Sequence, residues 1–452
     1  MHRKSRRSVV ALLFSLSALA ILPGFAQSQP VIIRMAGDEW FLDSLTKTGM
    51  LPDFEKQSGI HVEALHKNDR TIMAELDRGP ASADDRLDVL VMRHRLLGAL
   101  IQKGQLRPID SLVADPTLHD AGFKPEQQLF PEWWRELSSY GGKTYGFPFT
   151  SLTTFVCYRK DLLDDPANQR NFRARYHREL KPPATWLEYV QLAQFFNRPG
   201  EHFYGTYIQG KRGLALWYEW LNLIYSFGGN ILDVRHGWQY GDIVVNSPQN
   251  VAATEQYMKL IPFSPPDTLN YGWSEAQSAL QQGRVFMGLL WNDQAPFLED
   301  PAVSKVAGKI GYSPIPSNSG ESFSQLEGLT YLIPTESKHA REAYRFLEWA
   351  MSAQVQVQQT LEGSSSARKS TYDDPKVKAL PYTSTFLISV PVARPKPDIP
   401  ESEQMTDAME YRVSEIVSGR TSAQAGLDSL ALDIQRILSN QARLRHPVMA
   451  TR

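Results

Sequence analysis

The stretch 31–65 sets the first constraint on the fold. Residues 31–36 are apolar except for Arg34, a polar turn Gly37-Asp38-Glu39-Trp40 follows, and a helical stretch then leads into a second strand, 60–65. A near-continuous apolar run of this length reads as a strand buried on both faces. Strand, polar loop, helix, strand is the crossover that joins parallel strands, so the order calls for an α/β sheet with helices packed on it. Ligands of such sheets sit beyond the carboxyl ends of the strands. Asp38 and Trp40 lie at one of those ends, and Asn68 and Asp69 at the next. A third strand is expected over 87–92, with Arg93 and His94 directly after it. Asp88 enters that strand at the opposite end and reads as a structural acid capping a loop.

Another apolar run, 285–290, lies between Gly283 and Asn292-Asp293, behind Trp273 and a short helical pattern, and reads as a strand that ends in a cleft. Its end puts the Trp291 indole beside an amide and a carboxylate. A flat apolar ring covers the C–H face of a sugar while a charged acceptor takes its hydroxyls, which suits a carbohydrate better than an anion or a peptide. Taken alone, Trp291 reads equally well as core. Trp217 is a second indole to aim at a sugar, because Trp217, Tyr218 and Trp220 crowd three aromatics around Glu219 and cannot all face inward. Strands are also expected over 153–159 and 204–209, and a helix over 124–140. Thr185 reads as a helix N-cap with Glu188 as its capping-box partner.

At 452 residues the chain is too long for one ordinary core and long enough for two lobes. Its 42% apolar and 21% charged residues exclude a disordered or fibrous chain. Residues 1–26 read as a secretory leader: Arg3, Lys4, Arg6 and Arg7 give a basic start, 9–22 an apolar stretch, and Gly24-Phe25-Ala26 a cleavage site after Ala26. Ser5-Arg6-Arg7 has the twin arginines of a second export route, but Ser8-Val9-Val10 lacks the usual Phe-Leu-Lys, so ordinary Sec export is expected. Removing the leader leaves 44 basic against 49 acidic residues, a charge of −5, which argues against nucleic acid or an anionic membrane surface as partner. Cys157 is the only cysteine, so no internal disulfide forms and the core alone must hold the fold. With no cysteine near the cleavage site, no lipid anchor is expected, and the protein should be free in the periplasm. No later apolar run approaches the ~18 residues that would span a bilayer.

Several segments carry a resemblance. The helical pattern 274–282, Gly283-Arg284-Val285-Phe286-Met287 and then Trp291 is similar to the "sGkvAM...W" element of the extracellular solute-binding proteins of carbohydrate ABC transporters, family 1, the group that includes maltodextrin-binding protein. Residues 52–62 resemble its "pdFEkqsGIhV", 144–149 its "GKlYGlPy", 182–196 its "P.TWdEl...ak.l" and 326–334 its "lgG..laIp". Residues 363–370 stand where the family has "G..P.R.s", with Ser366 in place of proline and Arg368 matching its arginine. The likeness runs in order from about 31 to 438.

This resemblance implies a two-lobed, type II periplasmic binding protein fold, each lobe a mainly parallel sheet flanked by helices, with a ligand cleft between them. The lobes would be 27–150 plus 328–375 and 151–327 plus 376–445, the chain first crossing near 150–152. It also implies a monomer that closes by a hinge over a neutral sugar, oligosaccharide or polyol and presents it to a membrane permease, with no cofactor and no metal. Ligand contacts are then expected from Asp38, Trp40, Asn68, Asp69, His94, Trp217, Glu219, Trp273, Trp291 and Asp293, together with Phe149, Asn292, Glu327 and Arg368. Catalytic signatures are sparse: there is no Gly-rich phosphate loop, no His-Glu-x-x-His, no Gly-x-Ser-x-Gly and no close His or Cys pair with metal spacing. The alternative is a secreted glycoside hydrolase pairing Asp38 or Asp69 with Asp293, which needs carboxyl groups about 5 to 9 Å apart.

Overall fold

The structure, a computed structural model, describes residues 31–445 apart from 83–84, 121, 236–238, 319, 321–322 and 398. The leader expected over 1–26 lies outside the described residues. The larger sheet contains β1 (Val31–Gly37), β2 (Ile60–His66), β3 (Val89–Arg93) and β4 (Gly146–Leu152). The smaller sheet contains β5 (Thr154–Arg159), β6 (Met287–Trp291) and β7 (Ile310–Ser313). Two late strands, β8 (Ser324–Leu332) and β9 (Ala393–Pro395), return to the larger sheet.

The opening crossover forms as the apolar pattern demands. β1 lies between β2 and β3 and is parallel to both, with Val31 opposite Ile60 and Met35 opposite Val89. Helices α1 (Glu39–Thr46), α2 (Leu51–Ser58) and α3 (Asp69–Arg78) connect and cover these strands. Leu42, Leu45, Phe54 and Ile72 turn into the core, where the Phe54 ring meets Phe346 and Trp349. Asp88 caps the loop as expected, accepting from the Arg34 N–H at 3.1 Å and the Ser337 hydroxyl at 2.7 Å.

β8 completes the larger sheet from far along the chain. Its carboxyl half runs antiparallel between β3 and β4, whereas its first three residues pair in parallel with β9. All nine of its residues are buried, and Glu327 stands where one set of neighbours gives way to the other.

The smaller sheet departs from the expectation of a mainly parallel one. β5 is central and both β6 and β7 run antiparallel to it. The reason is the connection: only Thr153 separates β4 from β5, so a direct crossing strand, not a helical crossover, sets the direction of β5. Residues 204–209 form no strand, since only Tyr204 bridges to Val285. The Tyr207 ring instead lies across the sheet, and a Cβ on Gly288 would stand 2.2 Å from it. The helix expected over 124–140 is broken at Pro131 into Pro125–Gln128 and Pro131–Ser138, with Phe130 held extended before the proline. The Thr185–Glu188 capping box is present, with the Glu188 N–H donating to the Thr185 hydroxyl at 3.2 Å.

Short polar side chains tie the passage between the sheets. The Thr153 N–H donates to Asn292 Oδ1 at 2.8 Å, its hydroxyl to Ser324 Oγ at 2.7 Å, and the Asn292 N–H donates back to the Thr153 carbonyl at 3.1 Å. The Asn292 amide also donates to the Ser151 carbonyl at 3.3 Å and to Ser365 Oγ. With its amide spent on these bonds, Asn292 holds crossing strands together and does not point at a ligand.

No helix among the described residues is long and apolar enough to cross a membrane. Cys157 sits in the middle of β5, fully buried, and burial raises its thiol well above the usual value. The native protein should therefore resist a thiol reagent over hours and take up one equivalent in denaturant; rapid labelling of native protein would place this strand elsewhere.

Candidate ligand-binding site

The carboxyl ends of β1, β2 and β3 point at one region, where β6 also ends. Arg93 closes β3, and its Nη1 lies 2.5 Å from Asp69 Oδ2 at the start of α3. Asn68 caps α3, accepting from the Thr71 N–H at 2.9 Å, and Asp38 caps α1 in the same way through the Trp40 N–H at 3.1 Å. These three strand-end residues are thus spent on helix starts and on neutralising Arg93.

Next after Arg93 is His94, whose Nδ1 is 2.8 Å from Glu327 Oε1. Glu327 Oε2 lies 2.8 Å from Lys396 Nζ and accepts from the Tyr218 hydroxyl at 2.9 Å. Tyr218 belongs to the helix α4 (Leu214–Ser226), and Lys396 directly follows β9. One carboxylate, 2% exposed, therefore joins three distant segments. Burial works to raise its pKa, but Lys396 and His94 outweigh it and hold the carboxyl well below its usual range. Burial lowers the Lys396 ammonium from its usual value, and Arg95 and Arg93 add to this against the opposing pull of Glu327.

Aromatic rings enclose the cluster. The Lys396 ammonium lies over the Tyr218 ring at 4.2 Å and over Trp291 at 5.6 Å. Tyr218 in turn meets Trp217 edge-on at 4.4 Å, Trp291 at 5.7 Å and Trp273 at 6.4 Å. Trp291 is the last residue of β6 and largely buried, so it serves the core and the site together.

Asp293 lies two residues further on, in the short turn Asn292–Gln294. Burial pushes its carboxyl up to about 6, while a bond from the Trp40 indole, its own backbone and Arg93 pull it back. Trp40, 46% exposed, packs on Phe297 at 4.8 Å, and the two rings bound a cavity of about 160 Å³ that reaches Asp293. Among the described residues, His94 Nε2, Arg95 Nε, Trp217 Nε1, Trp273 Nε1 and Asp293 Oδ1 are buried with no hydrogen-bond partner. Buried polar atoms without partners are expensive, so donors and a carboxylate oxygen left open around indole faces mark a place for a polar, C–H-rich guest.

The structure brings together Trp40, Asp69, His94, Trp217, Trp273, Trp291, Asp293 and Glu327. It sets the others apart. Phe149 is buried against Tyr331 at 4.9 Å. Glu219 accepts from the Gln209 N–H at 2.6 Å and the Tyr257 hydroxyl at 2.5 Å, within its own packing layer, where burial pushes its carboxyl up to about 7. Arg368 staples a loop, donating to the Met351 carbonyl and the Ser370 hydroxyl, both at 3.1 Å.

The sequence reading passed over Arg95 and Lys396, and noted Arg93 and Tyr218 without assigning them a ligand role. The strand-end rule that selects His94 selects Arg93 and Arg95 as well. Lys396 had no signal, since a lysine between Pro395 and Pro397 reads as linker.

Replacing Glu327 with Gln should strand the Lys396 ammonium without a counter-charge, and breaking a buried pair costs about 3–5 kcal/mol. Urea melts at neutral pH check this. The folded carboxyl lies below its ordinary 4.5, so its contribution is complete above that value and lost as pH falls further. Wild type and Glu327→Gln should accordingly converge in acid; equal urea midpoints at neutral pH would show the tie to be idle.

Comparison with known proteins places the chain in a family. The family model of the bacterial extracellular solute-binding proteins matches residues 49–384. The mannitol-binding protein of Pseudomonas aeruginosa is 26% identical over 368 residues, 76% of this chain and 78% of that protein. A maltodextrin-binding protein of Bacillus subtilis is 25% identical over 395 residues, 82% of each chain. Among solved structures, a solute-binding protein of Agrobacterium radiobacter K84 in complex with ribitol superposes with a TM-score of 0.75 at 24% identity, covering 90% of this chain and 98% of its own. With a single family model spanning most of the chain, this protein belongs to the bacterial extracellular solute-binding proteins.

Proposed function

We propose that this protein is the substrate-binding component of an ABC importer and that its ligand is a polyol or a small neutral sugar. The observation that carries the reading is the set of unpartnered buried donors and one carboxylate oxygen gathered around Trp217, Trp273 and Trp291. Hydroxyls both donate and accept, so a polyhydroxy compound satisfies such a mixed set where an anion satisfies only the donors. The relatives support the same class: they include mannitol-binding and maltodextrin-binding proteins and a ribitol complex. The tight packing of the cluster favours a linear polyol or a single ring over an oligosaccharide.

In this reading the lobes are 27–150 plus 328–375 and 151–327 plus 376–445, with the Thr153–Asn292 crossing at the hinge between them. Ligand contacts from both lobes stabilise the closed form, which a membrane permease recognises. The leader is cut after Ala26 and the mature protein works in the periplasm. Binding proceeds without chemistry. The hydrolase alternative has no support, because Asp38 is spent as a cap and Asp69 is neutralised by Arg93.

A thermal-shift screen of the mature protein against pentitols, hexitols, mono- and disaccharides tests the ligand class. A ligand at about 100 times its Kd adds ~2.7 kcal/mol, and a screen in which no polyol or sugar shifts the melt would end this reading.

Binding should also depend on pH through Asp293. In the free protein the folded carboxyl stands near 6, above its ordinary 3.8, so the proton it holds stabilises the empty form and is lost as pH rises through 6. A ligand hydroxyl donating to Asp293 favours the ionised form. Affinity should then fall below about pH 6, by up to about tenfold per unit, and Asp293→Asn should flatten the profile. Calorimetric titrations at about pH 5 and about pH 7.5 measure the difference.

A further inference from the structure

The position of Lys396 is unusual for a lysine: its side chain is 1% exposed. Its ammonium lies over the faces of Tyr218 and Trp291 and 2.8 Å from the Glu327 carboxylate. Aromatic faces plus a carboxylate in a water-excluded place are the chemistry that binds an ammonium ion. Here the chain supplies the ammonium itself.

Lys396 is also held in place and does not simply swing in. Prolines precede and follow it, fixing the backbone on both sides. The Pro395 carbonyl accepts from the Tyr225 hydroxyl at 2.9 Å, the Pro397 carbonyl accepts from Ser402 at 2.8 Å, and β9 pairs with β8 immediately before it. Arg93 and Arg95 stand nearby, so a second cation would meet like charge as well as an occupied place.

We propose that Tyr218, Trp291 and Glu327 form an ammonium-binding box whose occupant is the chain's own Lys396, and that this occupancy makes the site reject ligands bearing a protonated amine. Lys396 is then a specificity-determining residue. Its second half, the rejection of amines, rests on the polyol reading above; the box itself does not.

Two measurements separate the halves. Lys396→Ala empties the box, so about 0.1 M methylammonium chloride should raise its melting temperature by about 2 °C or more over equal sodium chloride, while the wild type stays unmoved. Equal melts in the two salts would overturn the box. Calorimetric titration with D-mannitol and 1-amino-1-deoxy-D-mannitol then tests selectivity. Wild type should prefer the neutral polyol by at least about tenfold, and Lys396→Ala should shift that ratio toward the amine by at least about tenfold. A ratio unchanged by the substitution, or a wild type that takes the amine as tightly as mannitol, overturns the proposal. If wild type binds neither compound, it is the polyol reading that fails, and the methylammonium result still decides the box. If Lys396→Ala does not fold, Lys396→Met keeps the stem without the charge. Its preference for the neutral ligand should drop at least about threefold, because the like-charge repulsion is gone; the wild-type ratio in Lys396→Met overturns the proposal as well.

Discussion

The structure depends on one buried carboxylate. Glu327 joins His94 from just after β3, Tyr218 from α4 and Lys396 from just after β9, segments that are far apart in sequence. Desolvating an ion is costly, and the cost is offset only where partners and hydrogen bonds surround it completely. That condition makes the arrangement all-or-none, since a partial set would leave an uncompensated charge in the interior. The aromatic rings around it do the remaining work of excluding water, and they are the same rings that face the site.

The opening of the larger sheet was legible because its crossover is local and because β1 and β3 are mostly apolar, while β2 at the edge alternates apolar and polar residues. Residues 31–66 needed nothing beyond pattern, and the capping box at Thr185 needed only two residues in register. The antiparallel pairing of the smaller sheet was not legible: its direction comes from a one-residue connection at Thr153, which carries no periodicity. The stretch 204–209 has strand composition yet leaves the sheet because the Tyr207 ring needs the space over Gly288.

For the site, position in the fold proved more readable than side-chain role. Strand ends drew attention to Asp38, Asn68, Asp69 and His94, but two of these four cap helices and one neutralises an arginine. A short polar residue before a helix serves a cap and a ligand equally well on paper, and only the three-dimensional arrangement separates the uses. Asn292 illustrates the same point: next to Trp291 it looks like a sugar contact, but it is the amide that fastens crossing strands. Lys396 was invisible because what holds it in the interior is a carboxylate from another segment of the chain.

The late return of β8 and β9 bears on when the fold can close. Leu329–Leu332 fills the gap between β3 and β4, strands made more than 170 residues earlier, so the larger sheet stays open in its middle until the chain has been made as far as Leu332. Pairings this distant form slowly, because the chain entropy of closing the loop must be met before any contact rewards it. The topology therefore works as a late lock, in which early strands wait for residues far along the chain to close the sheet between them.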